Sequence, residues 1–245
     1  MTSVKSYYKE RWASENASAR PPAISRVQIV ADAAETALAP RPERIRILDV
    51  GCGNGWILNA LERRFGKQVE LHGVEPSACG AANAAERVPS AHIINGTLAT
   101  VTYADRFDLV VTSEVIEHVE DQKSFAAEIA ATLKPDGAAI LTTPNGEFFE
   151  GYFESNPEYC PQPIENWLTI PELKDLFSDA FDLRSVRTFN PEYFYNQHPV
   201  LSLARRTAQA IPGGRHVRCR LDRFVWREMQ AGLNILAIFD RKSGT

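Results

Sequence analysis

The chain has 245 residues and a formal net charge of −4, with 44% hydrophobic and 24% charged residues. That is enough apolar material to exclude global disorder, and enough length for one domain, or one domain with an inserted lid, at the usual ~100–200 residues per domain. Mild acidity argues against a chain-wide nucleic-acid surface, no apolar run approaches the ~18 residues of a membrane-spanning helix, and the polar N-terminus lacks the apolar centre of a secretory signal, so a cytoplasmic location is expected.

Residues 1–20 are polar with scattered aromatics (Tyr7, Tyr8, Trp12) and read as a short helix or an arm that closes over a ligand. Ile24, Val27, Ala31, Ala34 and Leu38 recur in steps of three and four, which predicts an amphipathic helix ended by Pro40 and Pro42. A strand over Ile45–Val50, a glycine-rich turn and a helix over Trp56–Phe65 come next. The unit repeats as strand Val69–Val74 and helix Ala78–Arg87. Short strands follow at Ala91–Ile94 and Phe107–Val111, then a helix over about 121–134. The turn Lys134-Pro135-Asp136-Gly137 leads into a strand over Ala138–Thr142. Strands alternating with helices at this interval predict a parallel sheet covered on both faces.

After Pro144 the rhythm changes. Residues 145–165 read as a loop, and Thr169-Ile170-Pro171-Glu172 reads as a capped helix start. Phe181–Phe189 and Leu233–Phe239 are two more candidate strands. The roughly 40 residues between them are too many for a hairpin connection and predict a helical lid over about 190–230. The expected organisation is a single domain over 1–245: arm and helix to residue 44, a ligand-binding core over 45–145, and the lid. The four cysteines, at 52, 79, 160 and 219, form no Cys-x-x-Cys pair and read as reduced thiols.

The strongest chemical signal is Asp49-Val50-Gly51-Cys52-Gly53-Asn54-Gly55, placed where a strand ends and a helix begins. Glycines there permit close backbone approach to a ligand, in the crevice an open α/β sheet uses for binding. The carboxylate before the first glycine is hostile to a pyrophosphate and suits a cationic ligand; the competing reading is a helix cap. Glu75, ending the second strand, has the position and chemistry to accept hydrogen bonds from a ribose; the competing reading is an ordinary surface acid.

ILDVGCGNGW, GVEPS, FDLVVTSEVIEHV and LKPDGAAILTTPN occur in the order and spacing of class I S-adenosylmethionine-dependent methyltransferases, and the chain resembles that family over residues 45–145. Within it, the closest resemblance is to the ubiquinone-biosynthesis O-methyltransferase group. The resemblance implies a Rossmann-like α/β fold with a seven-stranded, mostly parallel sheet whose last strand is antiparallel. It implies S-adenosylmethionine as cofactor, with Asp49, Gly51, Cys52 and Gly53 around its methionine half, Glu75 on the ribose and Pro76 beside the adenine. Thr97 stands where the family often has an aspartate facing the adenine amine, Leu98 is expected to pack on the base, and Ser113 and Glu114 are expected below the sulfonium methyl.

The block Glu114-Val115-Ile116-Glu117-His118 supports three readings. In a helical turn, Glu114, Glu117 and His118 share a face and can hold Mg²⁺, as the matching block does in the plant small-RNA 2′-O-methyltransferases. His118, with Glu114, can instead serve as the catalytic pair, the imidazole acting as general base. Or His118 only shapes the cofactor pocket. The stretch Pro161–Asn166 lacks the downstream histidine that both resembling groups carry. In the lid, seven arginines between Leu201 and Arg227 face one acid, Asp222. They point to an anionic acceptor or surface, or to a solvated face in an arginine-rich chain (20 Arg, 7 Lys). Tyr193, Phe194, Tyr195 and His198 are candidates to line the acceptor pocket or to form lid core. The expected activity is methylation of a small molecule at oxygen (a sugar hydroxyl, a phenol or a natural-product intermediate). The alternatives are RNA 2′-O-methylation and a non-catalytic cofactor-binding scaffold.

Overall fold

The computed structural model describes residues 24–38, 44–103, 106–156, 162–210 and 214–243; the expected N-terminal arm and Cys160 lie outside these. Seven strands form one sheet: β1 (Ile45–Val50), β2 (Val69–Glu75), β3 (His92–Asn95), β4 (Phe107–Ser113), β5 (Leu133–Pro144), β6 (Phe181–Phe189) and β7 (Asn234–Arg241). Their order is β3-β2-β1-β4-β5-β7-β6. β1 pairs in parallel with both β2 and β4, while β7 runs antiparallel to β5 and β6. The order reverses between β1 and β4, so a crevice opens at their carboxyl ends, and both Asp49 and Ser113 stand there.

The helices α1 (Ile24–Ala37), α2 (Trp56–Phe65), α3 (Ala78–Arg87), α4 (Gln122–Thr132), α5 (Gly146–Glu154) and α6 (Ile170–Phe177) connect or flank the strands. Two apolar layers result. One packs Val30, Ala34, Leu58 and Leu61 of α1 and α2 on Ile47, Leu71 and Val111. The other packs Phe125, Ile129, Leu173 and Phe177 of α4 and α6 on Leu48, Val110 and Phe239. Strands covered on both faces are apolar at nearly every position, which is why β1 and β4 show no alternation. Thr169 caps α6 through a reciprocal box with Glu172, and Pro171 sits in its first turn, as its sequence predicts.

Two expectations are corrected. The Lys134–Gly137 turn does not end a connection. It lies within β5, where two steps along β4 (Phe107 to Leu109) match five along β5 (Leu133 to Ala138), an irregularity that absorbs the proline and glycine. Part of the expected loop over 145–165 is the helix α5, which Asn145 caps by accepting the Glu147 N–H. Its glycines hide an aromatic face: Phe149 and Phe153 pack their rings against Trp167.

Between β6 and β7 stand three helices, α7 (Glu192–Gln197), α8 (Pro199–Ala210) and α9 (Gly214–Arg227). They enclose a small core of their own, Phe194, Tyr195, Val225 and Ala231. Among the described residues, no helix is long and apolar enough to cross a membrane.

Phe239 is 1% exposed and stacks on Phe177 at 4.6 Å between ring centroids. Phe239→Ala is expected to cost about 3–5 kcal/mol of folding free energy in a denaturant titration. A loss under 1 kcal/mol, on the scale of a surface substitution, contradicts this packing.

Candidate functional site

Three left-handed glycines shape the turn after β1: Gly51 at φ 71°, Gly53 at 52° and Gly55 at 75°. At Gly51 a Cβ would stand 2.5 Å from Val115 Cγ2, so glycine is required by space as well as by dihedral. The turn is tied to β2: the N–H groups of Gly51 and Cys52 both donate to the Val74 carbonyl, at 2.8 and 3.2 Å. Cys52 is buried, and burial first, then the charge of Asp49, pushes its thiol pKa well up. It is a packing residue of the cradle, not a nucleophile.

Asp49 is 1% exposed, and among the described residues neither of its carboxylate oxygens has a hydrogen-bond partner. It is not a helix cap: Gly55 holds that place on α2, with no side-chain cap bond. Burial, and then the charge of Glu75, drive its pKa well above the usual carboxylate range. Buried polar groups are nearly always paired. A buried carboxylate without donors therefore fits a ligand that brings a cation or donors with it.

Glu75 is 3% exposed and differently served. Gly53 N–H donates to its Oε2 and Ser77 N–H to its Oε1, both at 2.9 Å. Burial raises its pKa and the two amides offset part of the rise. Each oxygen keeps a lone pair, so the carboxylate is oriented by backbone and still able to accept two ligand hydroxyls. Pro76 next to it is exposed. Thr97 is exposed too, and its hydroxyl is within 3.2 Å of that of Thr100. Leu98 is 7% exposed and packs in the apolar layer with Val50, Val74 and Val110.

The block after β4 does not form the helical turn expected of it. Glu114 has φ 56°, a conformation that costs a non-glycine residue about 1 kcal/mol or more, and only Ile116–His118 form a 3₁₀ turn. The three side chains therefore do not share one face, although His118 Nε2 stays 3.8 Å from Glu117 Oε1. Glu114 turns back to the sheet, where Thr142 Oγ1 donates to Oε1 at 3.0 Å and Asn234 Nδ2 to Oε2 at 3.1 Å; Arg26 of α1 pairs with it at 3.6 Å. Ser113 Oγ lies 2.8 Å from Thr142 Oγ1 and extends this chain. Glu117, 1% exposed, accepts from Thr143 Oγ1 at 3.1 Å. Burial, then the charge of Glu114, raises its pKa well above normal.

His118 has both ring nitrogens engaged: Nδ1 at 2.8 Å from the Ile164 carbonyl and Nε2 at 2.6 Å from Gln162 Nε2. The pattern is satisfied when Nδ1–H donates to the carbonyl and the Gln162 amide donates to Nε2. Among the described residues, three metal-type donor atoms lie within 4.8 Å of one another only at Glu70, His72 and His92, on β2 and β3. Glu114, Glu117 and His118 are not so gathered.

Several residues here went unnoticed in the sequence. Arg26, Thr142, Thr143 and Asn234 act only through contacts across the sheet. Asn145, fully buried, donates from Nδ2 to the carbonyls of Gly232 (3.0 Å) and Gln230 (3.3 Å), tying β5 to the end of the three-helix insert. Gln162 occupies the stretch where the resembling groups carry histidine, and proximity to His118 is not legible at a separation of 44 residues.

Within the insert, Tyr193, Phe194 and His198 join Glu147 and Phe148 of α5 around a cavity of about 230 Å³. Tyr195 instead is lid core, its hydroxyl donating to Asp222 at 2.9 Å. A larger recess of about 520 Å³, near Arg44, Glu62 and Lys67, opens at the opposite, amino-terminal ends of the strands and holds none of the groups described above.

A family model described as "Methyltransferase domain" matches residues 24–187. The chain belongs to the S-adenosylmethionine-dependent methyltransferase family. The ubiquinone biosynthesis O-methyltransferase of Rhodopseudomonas palustris (strain TIE-1) is 36% identical over 107 residues, 42% of this chain and 41% of that one. The chain thus spans about two fifths of the length of the curated relatives it matches. Among solved structures, the PH0226 protein of Pyrococcus horikoshii superposes with a TM-score of 0.61 at 17% identity, covering 89% of this chain and 90% of that one. A TehB-like S-adenosylmethionine-dependent methyltransferase of Corynebacterium glutamicum gives 0.56 at 17% identity, covering 97% and 98%. The fold is the class I methyltransferase fold. The unpartnered Asp49, the filled cradle at Gly51 and the backbone-oriented Glu75 fit its cofactor, which carries an ammonium, a sulfonium and a ribose.

Asp49→Asn separates binding from stability. An acid whose proton is held more tightly in the folded than in the unfolded chain loses stability as pH rises above its unfolded pKa of about 3.9. The neutral amide is therefore expected to raise the melting temperature of the ligand-free protein at neutral pH, with little effect near pH 4. Titration calorimetry is expected to show S-adenosylmethionine affinity lowered about tenfold or more, for loss of a charge-assisted contact. Unchanged affinity shows that Asp49 does not face the cofactor.

Proposed function

We propose that this protein transfers the methyl group of S-adenosylmethionine to an oxygen of a small aromatic or polyhydroxy acceptor held beneath α5 and α7. The observation that carries the acceptor reading is the cavity of about 230 Å³ with Phe148, Tyr193 and Phe194 on its walls and Glu147 and His198 as polar groups. Its volume suits a single substituted ring, and aromatic walls with few polar groups suit a small organic ligand. The relatives named as O-methyltransferases of ubiquinone biosynthesis point the same way.

S-adenosylmethionine supplies a methyl already activated on sulfur. What the protein adds is position. Asp49 receives the cationic end of the cofactor, Gly51 and Gly53 let the backbone close on it, and Glu75 accepts its ribose hydroxyls. Holding the two reactants aligned replaces entropy that the reaction in water would have to lose, an effect worth several kcal/mol. Ser113, Thr142 and Glu114 form a hydrogen-bonded floor at the carboxyl end of β4, held in place by Asn234 and Arg26.

In this proposal His118 takes the acceptor's hydroxyl proton. The Ile164 carbonyl holds its Nδ1 protonated, which leaves the lone pair on Nε2. In the ligand-free chain that lone pair accepts from Gln162, so acceptor binding must displace the Gln162 amide. The RNA 2′-O-methyl reading requires Glu114, Glu117 and His118 on one ion; it is less favoured because their donor atoms do not all lie within 4.8 Å of one another.

The test uses a panel of catechols, phenols and sugars with purified protein. His118→Ala is expected to lower kcat about 10²–10⁴-fold, the usual contribution of a general base, with cofactor affinity retained. Gln162→Ala is expected to keep activity, and exhaustive chelation to leave it unchanged. A His118→Ala variant with full kcat and an unshifted pH profile refutes the base assignment.

A further inference from the structure

The insert between β6 and β7 has an inner and an outer face of opposite character. Inward, Tyr195 and Val225 are buried, and Asp222 sits among three partners: Tyr195 Oη and Arg205 Nε, each at 2.9 Å, and Arg218 Nε at 3.9 Å. Asp222 is the one acid in residues 199–227, and it is spent inside. No negative charge is therefore left for the outer surface of α8 and α9.

Outward, apolar side chains stand in solvent. Of the six large hydrophobic residues exposed among the described residues, four are Val200 (80%) and Leu203 (65%) on α8 and Val217 (55%) and Phe224 (53%) on α9; Met229 follows just beyond. The spacing puts Val200, Leu203 and Arg206 on one stripe of α8, and Val217, Arg220 and Phe224 on one stripe of α9. Arg206, Arg220 and Arg223 are all exposed. α8 and α9 pack against each other, so the basic and apolar positions belong to one paired-helix unit. Residues 191–230 hold seven arginines against three acids within a chain of net charge −4, so the charge is divided between a basic insert and an acidic body.

We propose that the outer face of α8 and α9 docks on an anionic lipid bilayer. Leu203, Phe224, Val200 and Val217 enter the headgroup–acyl boundary, and Arg206, Arg220 and Arg223 pair with lipid phosphates. Helices that lie in a membrane surface combine these two features, exposed apolar side chains with arginines beside them. A nucleic acid would engage the arginines and leave Val200, Leu203 and Val217 uncovered; a bilayer accounts for both sets. The acidic body is repelled by the same surface, which orients the molecule with the insert down. The inference does not depend on the acceptor reading, although α7 of the same insert also walls the cavity described above.

The experiment is co-sedimentation of the full chain with vesicles of phosphatidylcholine alone or with 30% phosphatidylglycerol, at low and high salt. Pelleting is expected with the anionic vesicles, little with the neutral ones, and a fall at high salt as charge is screened. Leu203→Asp with Phe224→Asp, and separately Arg206→Gln with Arg220→Gln and Arg223→Gln, are each expected to weaken partitioning about tenfold or more. All substituted positions are exposed, and an unchanged melting temperature and S-adenosylmethionine affinity establish that both variants fold and that the cofactor site is intact. Absence of anionic-vesicle binding by the wild-type chain overturns the proposal, as does binding that neither variant reduces. Concentration-dependent self-association abolished by Leu203→Asp with Phe224→Asp, without vesicle binding, assigns the face to a second copy of the chain and overturns it too.

Discussion

Asp49 stands one residue before the end of β1, between β2 and β4, buried and, among the described residues, without a hydrogen-bond donor to either oxygen. An unpaired buried carboxylate is destabilising, and burial, then the charge of Glu75, raises its pKa and so favours the neutral form. The rest of the site is arranged around this position. The turn that follows must be glycine at 51 because Val115 fills the space, and Val115 is there because Glu114 takes a left-handed backbone to bring the chain back over β5. Glu75, one strand away, is buried as well but receives two backbone amides, so two similar carboxylates have different states. One is held by backbone amides; the other has no donor among the described residues.

The same economy governs the block after β4. A regular helical turn would have directed Glu114, Glu117 and His118 to one point. The left-handed residue at 114 sends Glu114 to the sheet network, while Glu117 beneath Thr143 and His118 against the segment 162–166 stay 3.8 Å apart. His118 thereby meets the Ile164 carbonyl through Nδ1 and the Gln162 amide through Nε2.

The insert before β7 is built on a separate small core, linked to the sheet through Asn145 and the backbone about Gly232. Its inner face closes on an ion-paired acid and its outer face carries arginines and bare apolar side chains. The proposed acceptor pocket and the proposed docking face thus share one element, apart from the strand ends that carry Asp49 and Glu75.

Local pattern was sufficient for much of this. The helices over 56–65 and 78–87, the strand over 181–189 and the Thr169 cap are read from residues in contact with their own neighbours, so their boundaries are visible along the chain. The Asp49 and Glu75 positions are legible for the same reason: strand, turn and helix are consecutive. The α5 helix was hidden by its glycines, and the burial of Leu98 depends on α4 and the sheet rather than on its neighbours. The divergence at Glu114, the Gln162 guard on His118 and the Asn145 tie join groups 28 to 120 residues apart. The amino-acid sequence by itself determined the family, the order of elements and the cofactor-binding turn, because each rests on spacing within one strand–turn–helix unit. Only the tertiary structure decided which acids are paired, which way the imidazole faces and which arginines reach solvent. Those outcomes depend on the electrostatic surroundings that distant strands and helices supply.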